Sequence, residues 1–276
     1  MKKIVSIIIT VLLCATLFAQ SAPEVAVSTG SVKTAVAGKL TVATSPDFAP
    51  YEFYAIDEAG KPSLAGFDIA LAQYIADYIG LELDIIPMDF DGIIVEVSNG
   101  SVDLGISGFS PTEDRKEVVD FSDLYYASSQ AFVCLDKNAS KFSSIESLNS
   151  KSLKVGAQTG AIQVGLAETY SKDADIIQLV KVTDIIAEIL AGTLDGGYIE
   201  MAVAEAYKQS YPELAIPVEV PYELEGSHIA VTKGNTTLLD KVNEAIAKAL
   251  ADGTMAQFVK TANELSSGEI YEGLLN

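Results

Sequence analysis

The chain has few of the residues that would mark a disulfide-stabilised scaffold or a nucleic-acid-binding protein. It contains no tryptophan, one histidine and two cysteines, and only 18 basic residues stand against 38 acidic ones. Two cysteines exclude a disulfide-dense scaffold. A formal net charge of −20 disfavours binding to phosphate backbones and to anionic membranes.

What the chain has in abundance is apolar sequence of globular length. Hydrophobic residues make up 49% of its 276 residues, which excludes an intrinsically disordered protein. An average domain takes roughly 100–200 residues, so we expect two domains. A chain of this length can bury a sizeable core without a metal or a disulfide.

Residues 1–21 are predicted to form an export signal. A cationic start at residues 1–3 precedes the apolar run 4–18 and the small and polar residues 19–22. This order is typical of a secretory signal peptide, and the run is shorter than the roughly 20 residues that a membrane span needs. We therefore expect an exported, periplasmic protein. Cys14 leaves a second interpretation open, in which a lipid on this thiol anchors the protein at the cell surface.

After a leader at residues 22–38, strand-like and helix-like segments alternate. Residues 39–44 alternate as a half-buried strand does, and residues 66–80 repeat apolar side chains, including Tyr78, at helical spacing. The alternation continues with strands at 81–87, 102–106, 153–157, 176–180 and 196–199, and with helices at 91–98, 160–170, 182–191 and 201–207. This order predicts the α/β fold class with a mostly parallel sheet. A last helix is predicted near residues 239–250, with Thr237 and Asp240 as its capping box.

Two extended apolar stretches, at residues 131–135 and 229–232, bracket the second of these α/β units. They predict two lobes joined by two crossing strands. The first lobe would comprise residues 39–131 and 228–276, and the second residues 132–227. Ligands of α/β sheets bind at the carboxyl ends of strands, and interdomain clefts are common small-molecule sites. The loops that follow the strands therefore form the candidate site.

The first two candidate loops carry aromatic side chains. Ser45, Phe48 and Tyr51 follow the first strand, and the two rings are expected either to stack on a ligand or to belong to the core. Phe90 stands at a later strand-to-helix turn, where it is expected to face Phe48 across a ligand side chain. Asp91 is expected to cap that helix.

The third loop carries the residues best suited to hold a carboxylate. It contains Gly108, Phe109 and Ser110 and, near the start of a short helix, Arg115. Glycine allows close backbone approach, serine supplies a hydroxyl, and arginine supplies a bidentate fork of N–H donors. The residues alone leave a second interpretation equally open, in which Arg115 pairs on the surface with an acidic neighbour (Glu113, Asp114 or Asp120).

The fourth loop opens a helix in the second unit and contains Gln158, Gly160, Ala161 and Ile162. Backbone N–H groups at a helix start bind carboxylates well. The alternative is that Thr159 caps this helix. Further along the chain, Glu200 ends a strand, where it is able to accept hydrogen bonds from an ammonium group.

These loops resemble those of one protein family. The segments 43–53 (ATSPDFAPYEF), 66–72 (GFDIALA), 88–97 (MDFDGIIVEV) and 102–126 (VDLGISGFSPTEDRKEVVDFSDLYY) look like the bacterial family 3 extracellular solute-binding proteins, the amino-acid receptors of ABC importers. Weaker matches at 154–163, 194–204 and 228–246 extend the resemblance over nearly all of the chain after the leader. The phrase around Phe90 is especially similar to the glutamine-binding member.

The resemblance implies a periplasmic-binding-protein-like fold and a role for each candidate residue. It implies that Arg115 grips the α-carboxylate of an amino acid and that Glu200 takes its α-ammonium. It also implies that Gly108, Ser110 and residues 160–162 contact the α-carboxylate. Phe48 and Phe90 are implied to pack on the ligand side chain. The implied partners are an L-amino acid and a membrane permease. We expect no cofactor and no nucleic-acid partner, and we expect the receptor to be a monomer.

Departures from the family pattern bear on the ligand side chain. Relatives that bind glutamine or basic amino acids commonly carry aspartate at the position of Ser45, and Ile199 stands where a polar residue is frequent. With Gln158 as a remaining polar contact, we expect a neutral L-amino acid with an apolar or small polar side chain. An inward-pointing Asp47 would weaken this expectation.

Two other functions remain open on the sequence. Some periplasmic dehydratases of the cyclohexadienyl and arogenate type share this fold, and in such an enzyme Glu200 would act as a general acid. A ligand-sensing module of a signalling receptor is the other. Because the one histidine, His228, falls on a predicted crossing strand, we expect no Ser-His-Asp set and no metal-ligand cluster. We therefore expect a binding protein and not an enzyme.

Overall fold

The structure, a computed structural model, describes residues 32–56, 60–223 and 226–267. The predicted export signal, Cys14 and most of the predicted leader lie outside these residues. Within them, no helix combines the length and the apolar character that crossing a membrane requires.

Three groups of elements follow one another along the chain. The first group comprises β1 (Lys39–Thr44), β2 (Asp47–Phe48), β3 (Glu52–Ile56), β4 (Pro62–Ala65), α1 (Phe67–Ile79), β5 (Glu82–Pro87), α2 (Phe90–Asn99), β6 (Leu104–Phe109), α3 (Glu113–Val118) and β7 (Val119–Phe121). The second comprises β8 (Gln130–Leu135), two 3-10 helices (Asp136–Lys141 and Ile145–Leu148), β9 (Lys154–Gln158), α4 (Ile162–Tyr170), β10 (Asp175–Leu179), α5 (Val182–Ala191), β11 (Gly196–Glu200), α6 (Met201–Ser210) and β12 (Leu214–Val220). The third comprises β13 (His228–Thr232), α7 (Thr236–Ala251) and α8 (Thr254–Ser266).

Each lobe is built on a five-stranded sheet. The strand order is β5-β1-β6-β13-β7 in the first lobe and β10-β9-β11-β8-β12 in the second. In both sheets the fourth strand is the first strand that follows the passage of the chain from the other lobe. It runs antiparallel to its two neighbours, whereas the remaining pairs are parallel. The predicted α/β fold with two lobes and two crossing strands is confirmed. The residue boundaries predicted for the lobes stay predictions.

A small antiparallel sheet, β2-β3-β4, belongs to the first lobe and was not predicted. The strand β2 has two residues and β4 has four, so neither is long enough to show the two-residue period of a strand. Phe53 and Ala55 on β3 are buried and form a minor core with Ala49. This sheet follows β1 directly and holds the aromatic loop of the candidate site in place.

Two helix predictions were wrong in detail. Tyr78 was placed on the apolar face of α1, but its side chain is 41% exposed and its hydroxyl donates to Glu244. The helix α7 is capped by Asn235, whose side chain accepts a backbone N–H of the first turn. Thr237 and Asp240 therefore do not form the expected capping box.

Gly66 allows α1 to begin directly against the aromatic loop. The N–H groups of Phe67 and Asp68 donate to the carbonyls of Pro50 (3.1 Å) and Tyr51 (2.9 Å). Gly66 has φ +119°, and a Cβ atom at this position would lie 2.0 Å from the carbonyl oxygen of Tyr51. Only glycine fits this approach, which fixes the loop and the helix to each other.

Candidate functional site

The candidate site lies between the two lobes, at the carboxyl ends of β6 in the first lobe and of β9 and β11 in the second. A small cavity occupies this place. It is lined by Phe48, Phe90, Ser107, Gly108, Ser110 and Arg115 from the first lobe and by Gln130, Gln158, Ala161, Ile162, Gln163 and Glu200 from the second. The structure therefore brings most of the residues predicted from the four loops to one cavity.

Arg115 lies on α3 and points into this cavity, not towards the acidic residues beside it in the sequence. Its Nη1 donates to the carbonyl oxygen of Ser110 (2.9 Å), and its Nη2 donates across the cleft to that of Gly160 (3.0 Å). The nearby acids have other partners, since Glu113 pairs with Lys116 and Asp120 with Lys233. The surface pairing that the sequence left open is not found among the described residues.

Two stacked rings support the guanidinium of Arg115. Phe90 and Phe109 stack with centroids 4.8 Å apart, and the Cζ atom of Arg115 lies 5.6 Å and 5.1 Å from their respective centroids. Burial lowers the pKa of Arg115 to about 10, so the group stays a cation at neutral pH. The rings thus hold a partly desolvated cation in a defined position.

Phe90 and Phe109 differ in their place relative to the cavity. Phe90 lines it, whereas Phe109 is fully buried behind Phe90. Phe48 lines the same cavity and packs against Tyr51, with centroids 5.1 Å apart. A ligand side chain held between Phe48 and Phe90 stays a prediction. Asp91 is not the cap of α2, because Asp89 occupies that position.

Three further predicted residues contact the site without lining the cavity. Ser45 is buried and its Oγ donates to Asp47 Oδ1 (2.8 Å). Tyr51 is a core residue, one of the two interpretations that the sequence left open, and its hydroxyl donates to Glu200 Oε1 (3.0 Å). Gly160 contributes its carbonyl oxygen to Arg115. These residues position the lining rather than form it.

The loop between β9 and α4 supplies the second-lobe wall. Ala161 is the N-cap of α4, and Ala161 and Ile162 both line the cavity. Thr159 does not cap this helix, because its hydroxyl donates to the carbonyl oxygen of Leu179 (3.2 Å). The first turn of α4 therefore faces the cavity, as the sequence predicts.

Glu200 is the one acidic residue among the described residues that line the cavity. It ends β11 and caps α6, where its Oε2 accepts the N–H of Val203 (3.0 Å) while its Oε1 accepts the Tyr51 hydroxyl. Burial raises the pKa of Glu200 to about 8. A cation from the first lobe and a titratable acid from the second thus share one small cavity.

Three lining residues were not predicted, namely Ser107, Gln130 and Gln163. Gln163 Nε2 donates to Gln130 Oε1 (2.8 Å), which joins the start of α4 to the start of β8. Gln163 stands in a helix start that the sequence already singled out, and its polar side chain on a buried helix was an available signal. Gln130 begins a crossing strand and carried no such signal.

Asp47 also lies inside the protein. The residue is 6% exposed, and its carboxylate accepts hydrogen bonds from three groups, two of which belong to the second lobe. These donors are Ser45 Oγ, Gln158 Nε2 (3.3 Å) and the backbone N–H of Val182 at the start of α5 (2.6 Å). Burial raises the pKa of Asp47 to about 6. The sequence marked Asp47 as able to point inward, but it did not predict this connection between the lobes.

A pair of buried acids, Glu52 and Asp68, supports the first-lobe wall from behind. Glu52 accepts a hydrogen bond from Ser107 Oγ, and Asp68 accepts from the N–H of Gly108 (3.1 Å) and the hydroxyl of Tyr125 (2.9 Å). Burial and the neighbouring charge raise the pKa of Glu52 well above its usual range, and burial raises that of Asp68 to about 7. Glu52 Oε2 and Asp68 Oδ1 have no other partner, so one proton shared between the two carboxyls satisfies both.

The arrangement can hold a small molecule that carries an anion at one end and a cation at the other. The described residues contain no group of histidine, cysteine, aspartate and glutamate side chains suited to a metal ion. His228 lies away from the lining, and its Nδ1 is 2.8 Å from the carbonyl oxygen of Ser122.

Two α/β lobes that close on a polar cavity define the class of periplasmic-binding-protein-like folds. Residues 40–262 match the model of the bacterial extracellular solute-binding proteins, family 3, and the chain belongs to this family. The predicted family is therefore confirmed, and the family is extracellular or periplasmic.

Several similar proteins are named for the amino acid that they bind. The chain is 34% identical over 227 residues to the arginine-binding extracellular protein ArtP of Bacillus subtilis. This alignment covers 80% of this chain and 85% of ArtP. The structure of AbpA from Streptococcus pneumoniae bound to L-arginine is similar with a TM-score of 0.80 and 32% identity, over 84% of this chain and 97% of AbpA. An ancestral arginine-binding protein bound to glutamine is similar with a TM-score of 0.72 and 35% identity, over 82% of this chain and 98% of that protein.

Proposed function

We propose that this protein is the substrate-binding receptor of an amino-acid ABC importer. It binds one L-amino acid in the cavity between its lobes, closes on it and delivers it to a membrane permease. The observation that carries the proposal is that Arg115 of the first lobe and Glu200 of the second line the same cavity. The named relatives are binding proteins, which supports a receptor over an enzyme.

The two charged groups match the two ends of a zwitterion. Arg115 presents a planar fork of N–H donors, which suits the α-carboxylate, and Glu200 presents acceptors for the α-ammonium. Each charge-assisted hydrogen bond contributes about 1.5–3 kcal/mol. A few such bonds, after the cost of association, suffice for micromolar binding at about −8 kcal/mol.

The placement of these groups on different lobes also explains how binding would drive closure. A ligand shifts the balance between an open and a closed form only by contacting the closed form better. An amino acid held by Arg115 and Glu200 contacts both lobes at once. The closed form is the signal that a permease would recognise.

The side chain of the ligand is proposed to be neutral and polar, as in L-glutamine. Among the described residues, Glu200 is the acid that lines the cavity, and it would pair with the α-ammonium of the ligand. Asp47 already accepts three hydrogen bonds behind the lining. Three glutamine side chains line the cavity. Arginine is the competing ligand, because relatives with similar sequences and structures bind it.

A thermal-shift screen of the twenty L-amino acids, with D-glutamine as a stereochemical control, tests the proposal. A ligand at 100 times its Kd stabilises the native state by about 2.7 kcal/mol, which raises Tm by roughly 5–10 °C for a chain of this size. We expect L-glutamine to give such a shift and to be recovered unchanged afterwards.

Three other outcomes of the screen have distinct meanings. If arginine or lysine alone shifts Tm, the protein is a receptor for a cationic amino acid and the proposed neutral side chain is wrong. If no amino acid shifts Tm, the receptor proposal itself is wrong. Conversion of the ligand during incubation would identify an enzyme.

A further inference from the structure

The amide of Gln158 has only one orientation that satisfies its surroundings. Its Nε2 atom donates to Asp47 Oδ2 (3.3 Å) and to the backbone carbonyl of Val180 (3.1 Å). A carbonyl oxygen and a carboxylate can only accept hydrogen bonds, so both must face the NH₂ group. Both N–H donors of Gln158 are therefore used, and its Oε1 is the polar atom left for the cavity that this residue lines.

The second amide pair at the cavity is not fixed in this way. Gln163 Nε2 donates to Gln130 Oε1, and both residues line the cavity. Because each amide carries a donor and an acceptor, turning both over leaves an equivalent hydrogen bond. This pair accommodates donors and acceptors alike, so Gln158 is the one of the three lining glutamines whose amide orientation is fixed.

Asp47 is itself held in place by two further hydrogen bonds. Its Oδ1 accepts from Ser45, and its Oδ2 accepts from the N–H of Val182, which begins α5 in the second lobe. Asp47 does not line the cavity. It acts on a ligand through Gln158 and is a positioning residue.

We propose that Asp47 and Val180 make Gln158 an obligate acceptor, so that the receptor selects amino acids whose side chain ends in an N–H donor and rejects a terminal carboxylate. For the neutral side chain of the proposed function, the selected chemistry is a carboxamide. The inference rests on the proposed function, because an amino acid must occupy the cavity. It adds a reason for selectivity that neither Arg115 nor Glu200 provides.

Glutamine and glutamate form the matched pair of ligands that tests this inference. They share size and α-groups and differ only in whether the terminal group donates or accepts. A buried acceptor left facing another acceptor loses its hydrogen bond and keeps the desolvation cost. We expect calorimetry at pH 7.5 to give a Kd for L-glutamate at least about 100-fold above that for L-glutamine.

Two variants of Asp47 separate positioning from charge. Asp47→Asn keeps an oxygen that accepts from Gln158 and removes the charge, so the ratio of the two Kd values should stay within about threefold of the wild type. Asp47→Ala removes the acceptor, so the ratio should fall at least about tenfold. A merely structural loss would weaken both ligands equally and leave the ratio unchanged.

The outcomes distinguish this inference from the proposed function. Equal affinity for glutamate and glutamine in the wild type overturns the inference and leaves the receptor intact. An unchanged ratio in Asp47→Ala, or an equal fall in both variants, removes Asp47 as the positioning residue. Absence of binding by any amino acid overturns both proposals. The wild-type ratio decides the inference even if Asp47→Ala does not fold.

Discussion

Replacing Arg115 by alanine is expected to lower the affinity for the amino acid at least about 100-fold, because two charge-assisted hydrogen bonds to the α-carboxylate are lost at about 1.5–3 kcal/mol each. The guanidinium is held by two backbone carbonyls and two rings, so it enters the complex already in position. Isothermal titration calorimetry measures the loss.

The neighbouring residue provides the matched control for this variant. Lys116 is adjacent on α3, is exposed and pairs with Glu113 outside the cavity. Lys116→Ala removes the same formal charge and should leave the Kd within about twofold. Arg115→Lys retains a cation but not the bidentate fork, so an intermediate affinity is expected. Binding that survives in Arg115→Ala would remove this residue from the site.

Binding of an amino acid at pH 7 is expected to release close to one proton from Glu200. Burial raises the pKa of this carboxyl to about 8, so it is mostly protonated at pH 7 before the ligand binds. An α-ammonium group favours the charged carboxylate and displaces the proton. Calorimetry in two buffers of different ionisation enthalpy counts the protons released.

The same carboxyl sets the direction of the pH dependence. Below pH 8 a proton competes with the ligand, so affinity should rise as pH increases from about 6 to 8. The folding stability of the ligand-free protein depends on pH in the opposite direction. The folded-state pKa lies above the unfolded value of about 4.3, so the stability that Glu200 contributes is present at acid pH and is lost as pH rises to about 8.

Glu200→Gln tests both statements. It should abolish the proton release and lower the affinity at pH 8 at least about tenfold, since one charge-assisted bond is lost. Glu168→Gln, at an exposed position on α4, is the control and should change neither quantity. Proton release that persists in Glu200→Gln would place the titrating group elsewhere, and the buried acids Asp47 and Asp68 would be the next candidates.

The parts of the fold that local sequence determines were predictable. The strand at residues 39–44 and the helix at 182–191 were predicted at the bounds that the structure shows. Alternating polarity and helical spacing report burial within a segment. The cap of α7 at Asn235 was missed because several adjacent polar residues there are able to cap a helix, and the sequence does not distinguish between them.

The part of the site in which one loop supplies a complete set of hydrogen-bond donors was predictable. The part in which the hydrogen-bond partners are far apart in the sequence was not. The loop from Gly108 to Arg115 combines close backbone approach, a hydroxyl and a guanidinium within eight consecutive positions. Asp47 and Gln158 stand 111 positions apart, and their hydrogen bond depends on how the two lobes meet. Pairings across a cleft follow from the tertiary structure, which periodicity does not report.

A crystal structure grown with L-glutamine would show whether one amino acid bridges Arg115 and Glu200. We expect the α-carboxylate about 3 Å from the Arg115 guanidinium and the α-ammonium at a similar distance from the Glu200 carboxylate. An amino acid bound outside this cavity, or held within it by neither charged group, would rule out this bridge.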